Sequence, residues 1–384
     1  MNILFYLSYT ASPKHGGIAN VTLALCRYLE MLGQRPFILS ASKTNDDVYE
    51  KQLYLPNAAI EMCDENGDYF NYIVRKYSID IVVNQNATSP KRTASIVWSN
   101  RIQIPIISVL HSSLYGLYGI NGKLTKFHPI MKRLGVYNFV NKIVNRLFKF
   151  KYGKYYSMMS KKCVRLVTLS DKFYEEVRWF SSNTDCKLAA IPNPLTIDLP
   201  TSQSVTKENE LLFVGRISTE KRVDLLLTIW NQLYKRFPNW RLTIVGDGPC
   251  RETMVDYAKK LALERCSFEG FQNPLPYYYR AKIFCMTSAY EGFGLVLIEA
   301  MAYGIVPLAF HSYANVVDII EDGTSGFLIP PFNTEKYADK LAYLMSDSDL
   351  ISRIQISATK KAMEFSGIKI AQKWIDLFNQ TLYS

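Results

Sequence analysis

In the second half of this 384-residue chain, three strand-like runs lead in turn through glycine-bearing turns into helical patterns. Glu210-Leu211-Leu212-Phe213-Val214 runs into Gly215-Arg216, then into a helix with apolar residues at Val223, Leu226, Leu227 and Trp230. Thr243-Ile244-Val245 runs into Gly246-Asp247-Gly248-Pro249. The strand near Lys282–Met286 runs into Glu291-Gly292-Phe293-Gly294 and an apolar helix. Strand, turn and crossover helix in this order build a parallel sheet, because the helix returns the chain to the end where the strand began. The first half alternates in the same way, with strands expected at Ile3–Ser8, Pro36–Ala41, Asp80–Asn84, Pro105–His111, Arg165–Leu169 and Lys187–Ile191. Helical patterns such as Gly17–Leu32 and Asp171–Phe180 separate them. The chain is therefore expected to be α/β, with two Rossmann-like, doubly wound parallel-sheet domains. Their expected bounds are 1–195 and 205–365, joined through the proline-bearing polar stretch Pro192–Asn209. A last amphipathic helix, 366–384, is apolar at Ile368, Ala371, Ile375, Phe378 and Leu382.

Chemistry concentrates in SAYEGFGLVLIEAMAYG. Glu291 stands just ahead of a helix N-terminus and Glu299 lies within that helix. Backbone N–H groups at a helix N-terminus, with the dipole behind them, suit a phosphate. Each carboxylate can accept from a vicinal diol. Diol, phosphate, diol is the outline of a nucleotide sugar. Upstream, Arg216 and Lys221 stand where a strand end can aim a planar fork and a point charge at phosphate oxygens. Gly246 and its neighbours offer backbone that can lie against a base. In the first half, Gly16-Gly17 opens a helix after the first strand, and His111 ends a strand at the carboxyl edge. The G-x-G-x-x-G spelling of NAD-binding folds is absent from that turn, which counts against a dinucleotide enzyme. Asn193, in Ile-Pro-Asn-Pro, is a weaker candidate. Asp347-Ser348-Asp349 reads as a helix cap rather than a metal site, so no metal is expected.

These segments resemble those of retaining glycosyltransferases of family 4, glycosyl transferases group 1, of the kind acting in bacterial surface polysaccharide synthesis. VGRISTEKR, IVGDGP, EGFGLVLIEAMAYG and DGTSGFLIPPF match the family's segments in order. The likeness covers nearly the whole chain and is densest from Leu211 to Pro331. It implies the GT-B architecture, two Rossmann-like domains facing a cleft, with the C-terminal helix crossing back onto the N-terminal domain. It further implies that Gly215, Arg216, Lys221 and Gly246 bind the donor. Glu291 would take the transferred sugar's hydroxyls and Glu299 those of the ribose. Backbone of Gly292, Phe293, Gly294 and Leu295 would reach sugar and phosphate, and the Gly16-Gly17 loop would close on the donor phosphate or the acceptor. Glu291, His111, Arg216 and Lys221 are the residues expected to carry catalysis, His111 by hydrogen bonding to the sugar rather than as a general base. One departure is Gly304-Ile305-Val306-Pro307, where the family usually has Gly-x-Pro.

Charge points to the partner. No Asp or Glu occurs from Ile81 to Ser170, against 15 Lys and Arg, so this segment carries +15 while the whole chain carries +11. Within it, Val136, Phe139, Val140, Ile143, Val144, Leu147 and Phe148 form an apolar helical stripe, with Lys142, Arg146 and Lys149 expected opposite. That is the pattern of an interfacial helix. An anionic membrane surface is the expected partner of segment 91–165, with a lipid-linked glycan acceptor, and nucleic acid is the lesser reading of the same charge. Seven cysteines without a C-x-x-C pair fit reduced thiols, and the N-terminus has no basic leader region. The expected protein is a cytoplasmic, membrane-peripheral hexosyltransferase using a nucleotide-diphosphate sugar, a UDP-sugar in the first instance, as a substrate and needing no cofactor. Two rivals are a GT-B-fold sugar-nucleotide epimerase and a non-catalytic nucleotide-sugar-binding scaffold.

Overall fold

The computed structural model describes residues 1–12, 16–44, 49–90, 92–118, 136–185, 187–199 and 206–383. Parts of the expected linker (200–205) and of the basic segment (Lys91 and 119–135) lie outside the described residues. The chain forms two compact units: Met1–Tyr115 with Lys142–Thr196 and Phe365–Ser384, and Gly116–Asn141 with Ile197–Glu364. The sequence bounds had put 116–141 with the first unit.

The first unit holds a seven-stranded parallel sheet in the order β3-β2-β1-β4-β5-β6-β7. Its strands are β1 (Asn2–Tyr9), β2 (Arg35–Ser42), β3 (Gln52–Tyr54), β4 (Ile81–Asn84), β5 (Ile106–Leu110), β6 (Arg165–Thr168) and β7 (Leu188–Ala190). The helices that matter below are α1 (Gly17–Met31), α2 (Leu114–Tyr118), α3 (Tyr137–Lys162) and α4 (Tyr174–Ser181). β1, β4 and β5 are buried over most of their length, so they read as continuous apolar runs rather than alternating ones.

The second unit holds six parallel strands in the order β10-β9-β8-β11-β12-β13. These are β8 (Glu208–Val214), β9 (Arg241–Val245), β10 (Cys266–Gly270), β11 (Ala281–Met286), β12 (Val306–Phe310) and β13 (Phe327–Ile329). Helices α5 (Val223–Leu233), α6 (Leu275–Arg280), α7 (Leu295–Ala302) and α8 (Ser348–Ala362) belong to it. α5 buries the residues that its period selects, Val223, Leu226, Leu227 and Trp230, in one core with Leu211, Leu242 and Ile283.

Both sheets wind outward from their first strand, then reverse. The reversal falls between β1 and β4 in the first unit and between β8 and β11 in the second. At such a point consecutive crossovers leave on opposite faces, so a crevice opens at the carboxyl ends of the two central strands, where α/β sheets take their ligands.

Three strands were not foreseen. β3 is only three residues long, and β10 is a half-exposed edge strand without strong apolar character. β12 contains Pro307, which cannot donate to a ladder. It nevertheless pairs with β11 and β13 and is fully buried. The terminal helix α9 (Gly367–Leu382) packs on α1 in the first unit's core through Ile370, Ala371, Trp374, Ile375, Leu377 and Phe378. Ile368, assigned to its apolar face from the sequence, is exposed instead.

Gly246 has a specific structural duty. Its φ is 140°, and a Cβ built there would lie 1.9 Å from the Gly215 carbonyl oxygen. The two strand ends are that close because Gly215 N–H donates to Val245 O and Gly246 N–H to Gly270 O. Gly246→Ala is expected to destabilise the second unit by about 3 kcal/mol through this overlap, read as a lowered urea midpoint.

Candidate active site

At the second unit's reversal, the loops after β8 and β11 are tied together by named bonds. The Thr287 hydroxyl donates to the carbonyls of both Lys221 (3.1 Å) and Arg222 (3.0 Å). Ala289 N–H donates to Glu220 O at 2.7 Å. Lys221 Nζ lies 2.6 Å from Glu291 Oε1, and Ser288 Oγ donates to that same oxygen at 2.6 Å. Lys221 and Glu291 are only 18% and 11% exposed, so the pair is largely withdrawn from water. The next loop joins in, with Ser312 Oγ donating to Ser288 O and Asn315 Nδ2 to Gly292 O.

α7 starts from this assembly. Its N-cap is Gly294, at φ 96°, a left-handed conformation that disfavours a side chain. No side chain caps the helix, so its first N–H groups are not satisfied in that way. One turn into α7, Glu299 is almost fully buried, and Tyr278 from α6 donates its hydroxyl to Glu299 Oε2 at 3.0 Å. Burial and the Glu299 charge push the Tyr278 phenol well above its ordinary value, which keeps it a donor. Arg216, at the end of β8, is exposed and makes no ion pair among the described residues. Phe293 is buried, while Gly292 and Leu295 are half-buried.

The second unit thus brings Lys221, Glu291, Gly292 and the start of α7 (Gly294, Leu295) together at one sheet edge, with Gly215 and Arg216 following β8, while Glu299 lies further along α7, tied to Tyr278. Sequence reasoning missed Thr287, Ser288, Tyr278 and Asn315. The first two were available as a signal, because Thr-Ser directly follows the last residue of β11. Tyr278 and Asn315 come from other loops, and nothing in their local pattern marks them. Asp347 caps α8, accepting from Leu350 N–H, as its spacing suggested.

The first unit's edge is built differently. Gly16, at φ 90°, is the N-cap of α1, which starts at Gly17 and has no side-chain cap. Pro13, Lys14 and His15 of that loop lie outside the described residues. His111 follows β5 directly. Its N–H donates to Thr88 Oγ1, and its Nε2 sits 2.6 Å from Gln85 Oε1. Burial lowers the ring to about 4, so it is neutral near pH 7 and charge-assisted chemistry is closed to it. Asn193 is buried in the same unit.

From two residues after His111, a carboxylate holds the chain. Glu176 of α4, 3% exposed, accepts from Ser113 Oγ (2.9 Å), Leu114 N–H (3.0 Å) and Tyr115 N–H (2.9 Å). It caps α2 from a distant part of the chain. Burial pushes Glu176 up to about 7, against these three bonds, which favour its ionised form. No sequence signal singled it out.

The comparisons with known proteins agree with this architecture. The chain has the GT-B fold, and residues 197–361 match the model of the family described as glycosyl transferases group 1. An uncharacterized glycosyltransferase of Haemophilus influenzae is 32% identical over 233 residues, 60% of this chain and 64% of that protein. The amylovoran biosynthesis glycosyltransferase AmsD of Erwinia amylovora is 31% identical over 175 residues, 45% of this chain and 49% of that one. The match thus spans less than two thirds of each curated relative. Among solved structures, Anabaena Alr3699/HepE in complex with UDP superposes with a TM-score of 0.74 at 17% identity, covering 99% of this chain and 100% of that one.

A pH test follows from Glu176. Its folded-state value lies above the unfolded one of 4.5, so the native state holds the proton more tightly. Its contribution is therefore most favourable below about pH 4.5 and is lost as pH rises through 7. Glu176→Gln should remove up to about 3 kcal/mol of that pH-dependent loss. Urea midpoints of wild type and variant at pH 5 and pH 8 check it, and the gap between them should shift towards the variant at pH 8.

Proposed function

We propose that this protein is a retaining, metal-independent glycosyltransferase. It moves a hexose-type sugar from a nucleotide-diphosphate donor, a UDP-sugar in the first instance, to a hydroxyl of a lipid-linked or oligosaccharide acceptor. The reaction belongs to capsule, exopolysaccharide or lipopolysaccharide synthesis. One observation carries the reading: Lys221, Glu291 and the side-chain-uncapped start of α7 meet at the crevice between β8 and β11. AmsD is named as an amylovoran biosynthesis glycosyltransferase, and HepE was solved with UDP, which supports the class and the nucleotide.

Departure of the diphosphate gathers negative charge on its oxygens while positive charge grows at the anomeric carbon. Arg216, exposed and uncommitted, and Lys221 meet the first charge together with the α7 N–H groups, in the role that a metal takes elsewhere. Lys221 is held in place by Glu291, which turns its second oxygen to the sugar hydroxyls. Glu299 takes the ribose diol. His111, being neutral, hydrogen-bonds a sugar hydroxyl and moves no proton. The acceptor's proton goes to the leaving phosphate on the same face, which gives retention. The nucleotide sugar is a substrate, and no cofactor enters.

Work at the cytoplasmic face of a membrane is part of the proposal. No helix among the described residues is long and apolar enough to cross one. On α3, Phe139 (68% exposed), Ile143, Leu147 (63%) and Phe150 (91%) share one outward face. Lys142 and Arg146 flank that face on one side and Lys151 on the other, all exposed. Lys142 and Arg146 are therefore beside the apolar band, not opposite it, and Lys149 turns inward over the Trp179 ring at 4.6 Å. An apolar centre with a basic border suits an anionic leaflet, at about 1 kcal/mol for each cation near the surface.

Glu291→Ala should slow sugar transfer by about 10²–10³-fold, the usual effect of losing one charge-stabilising or orienting donor. A fully active variant would remove the role given to Glu291. Lys221→Ala should weaken UDP binding in calorimetric titration as well as slow transfer. UDP appearing only when an acceptor is added separates transfer from epimerisation. Vesicle flotation checks the membrane step: wild type should float with anionic but not neutral vesicles, and Leu147→Glu with Phe150→Glu should stay behind.

A further inference from the structure

Tyr278, on α6, is fully buried, and its hydroxyl donates to Glu299 Oε2 on α7 at 3.0 Å. A buried phenol and a buried carboxylate each need a partner, and one hydrogen bond meets that need wherever the ring lies. Here the tyrosine is held more closely than that need requires. Lys207 Nζ donates to its carbonyl at 2.7 Å. Its ring packs against Tyr303, the C-cap of α7, with centroids 5.8 Å apart and planes at 36° to each other. Tyr303 is fixed in turn, its hydroxyl donating to Asp198 O at 2.9 Å.

The consequence falls on Glu299. A glutamate's last side-chain bond is a broad, roughly two-fold rotor, so the helix that carries it does not set its carboxylate plane. A fixed donor on Oε2 does set that plane, and with it the direction of the remaining lone pairs. A ligand with one hydroxyl can follow a turning carboxylate. A vicinal diol cannot, because its two O–H groups are fixed relative to each other and both bonds need one orientation. Burial and the Glu299 charge keep the phenol protonated, so the donor is always present. Glu299 is 8% exposed and Tyr278 not at all, so contact with a ligand falls to the carboxylate and the phenol acts through it.

We propose that Tyr278 is a positioning residue for the nucleotide's ribose: its hydroxyl sets the Glu299 carboxylate so that both diol hydroxyls are accepted at once, which makes the second unit selective for ribonucleotides over their 2′-deoxy counterparts. This rests on the reading of Glu299 as the carboxylate that takes the ribose diol. It adds the residue from which that carboxylate draws its selectivity.

Tyr278→Phe removes the hydroxyl and keeps the ring against Tyr303. UDP and 2′-deoxy-UDP, titrated calorimetrically, are the probes. Wild type should bind UDP about tenfold or more tighter than 2′-deoxy-UDP, since a site built for a hydroxyl is penalised when the hydroxyl is missing. In Tyr278→Phe that ratio should fall to about threefold or less, through weaker binding of UDP. A purely structural tyrosine would weaken both nucleotides by the same factor, or neither, and an unchanged ratio overturns the proposal while leaving Glu299 on the ribose. Glu299→Gln tests the point without altering Tyr278. The fixed phenol can donate only to the amide oxygen, so the NH2 is turned to the ligand where an acceptor is needed, and the ratio should again fall to about threefold or less. A Glu299→Gln protein that keeps the wild-type ratio has an amide free to turn, which also overturns the proposal. A wild-type ratio near one removes the ribose reading of Glu299 and this inference with it. Failure of wild type to bind UDP at all sinks the donor reading itself.

Discussion

The Thr287 hydroxyl, shared between the carbonyls of Lys221 and Arg222, is the bond on which the candidate site depends. β8 and β11 already lie side by side, with Ile283 opposite Leu211 and Phe284 opposite Leu212, so their carboxyl ends emerge together. Loops leaving adjacent strands would still diverge, because their helices cover opposite faces of the sheet. Thr287 prevents that by supplying a donor for two carbonyls near the foot of α5. With the loops fixed, Lys221 and Glu291 meet at 2.6 Å although 70 residues separate them in the chain. A largely buried pair of this kind adds little net stability, since desolvation offsets most of the attraction. Its value is positional: it holds a cation and a carboxylate at one edge.

The two units share a topology but not a chemistry. The second presents formal charges, two basic and two acidic groups, beside a helix start without a side-chain cap. In the first, the described loops after β4 and β5 carry Gln85, Asn86, Thr88 and an imidazole that burial keeps uncharged, along with Arg92, which pairs with Glu61. Under the proposed function, the contrast suits the two halves of a transfer reaction. A diphosphate needs charge to meet it, whereas a hydroxyl needs orientation by neutral donors and acceptors. Glu176 is a buried acid of the first unit, and its three bonds go to holding the loop that follows His111.

Much of this was legible before any coordinates. Strand and helix alternation gave both sheets, because parallel strands buried on both faces appear as unbroken apolar runs. Glycines at the strand ends marked the carboxyl edge, and the Glu291 and Glu299 spacing marked a loop and a helix. Where the reading failed, local pattern conflicted with surroundings. Pro307 cannot donate to a ladder, yet β12 tolerates it between two strands. On α3 the sequence put Lys142, Arg146 and Lys149 opposite the apolar stripe, whereas Lys142 and Arg146 lie beside it and Lys149 turns over Trp179. In the structure the helix turns Asn145, Tyr155, Tyr156 and Met159 inward and leaves Phe139, Leu147 and Phe150 in the open.

By itself, then, the sequence determined the fold class, the two-unit plan, the residue types at the second unit's edge and the concentration of basic charge. Periodicity and composition are local properties, and these features follow from them. Only the tertiary structure decided the partners: which hydroxyl clamps which loop, that Tyr278 serves Glu299, that Gln85 sets the His111 tautomer, and which face of a basic helix looks outward. Those depend on side chains brought together across tens of residues by strand order and register, and no short window of sequence carries that information.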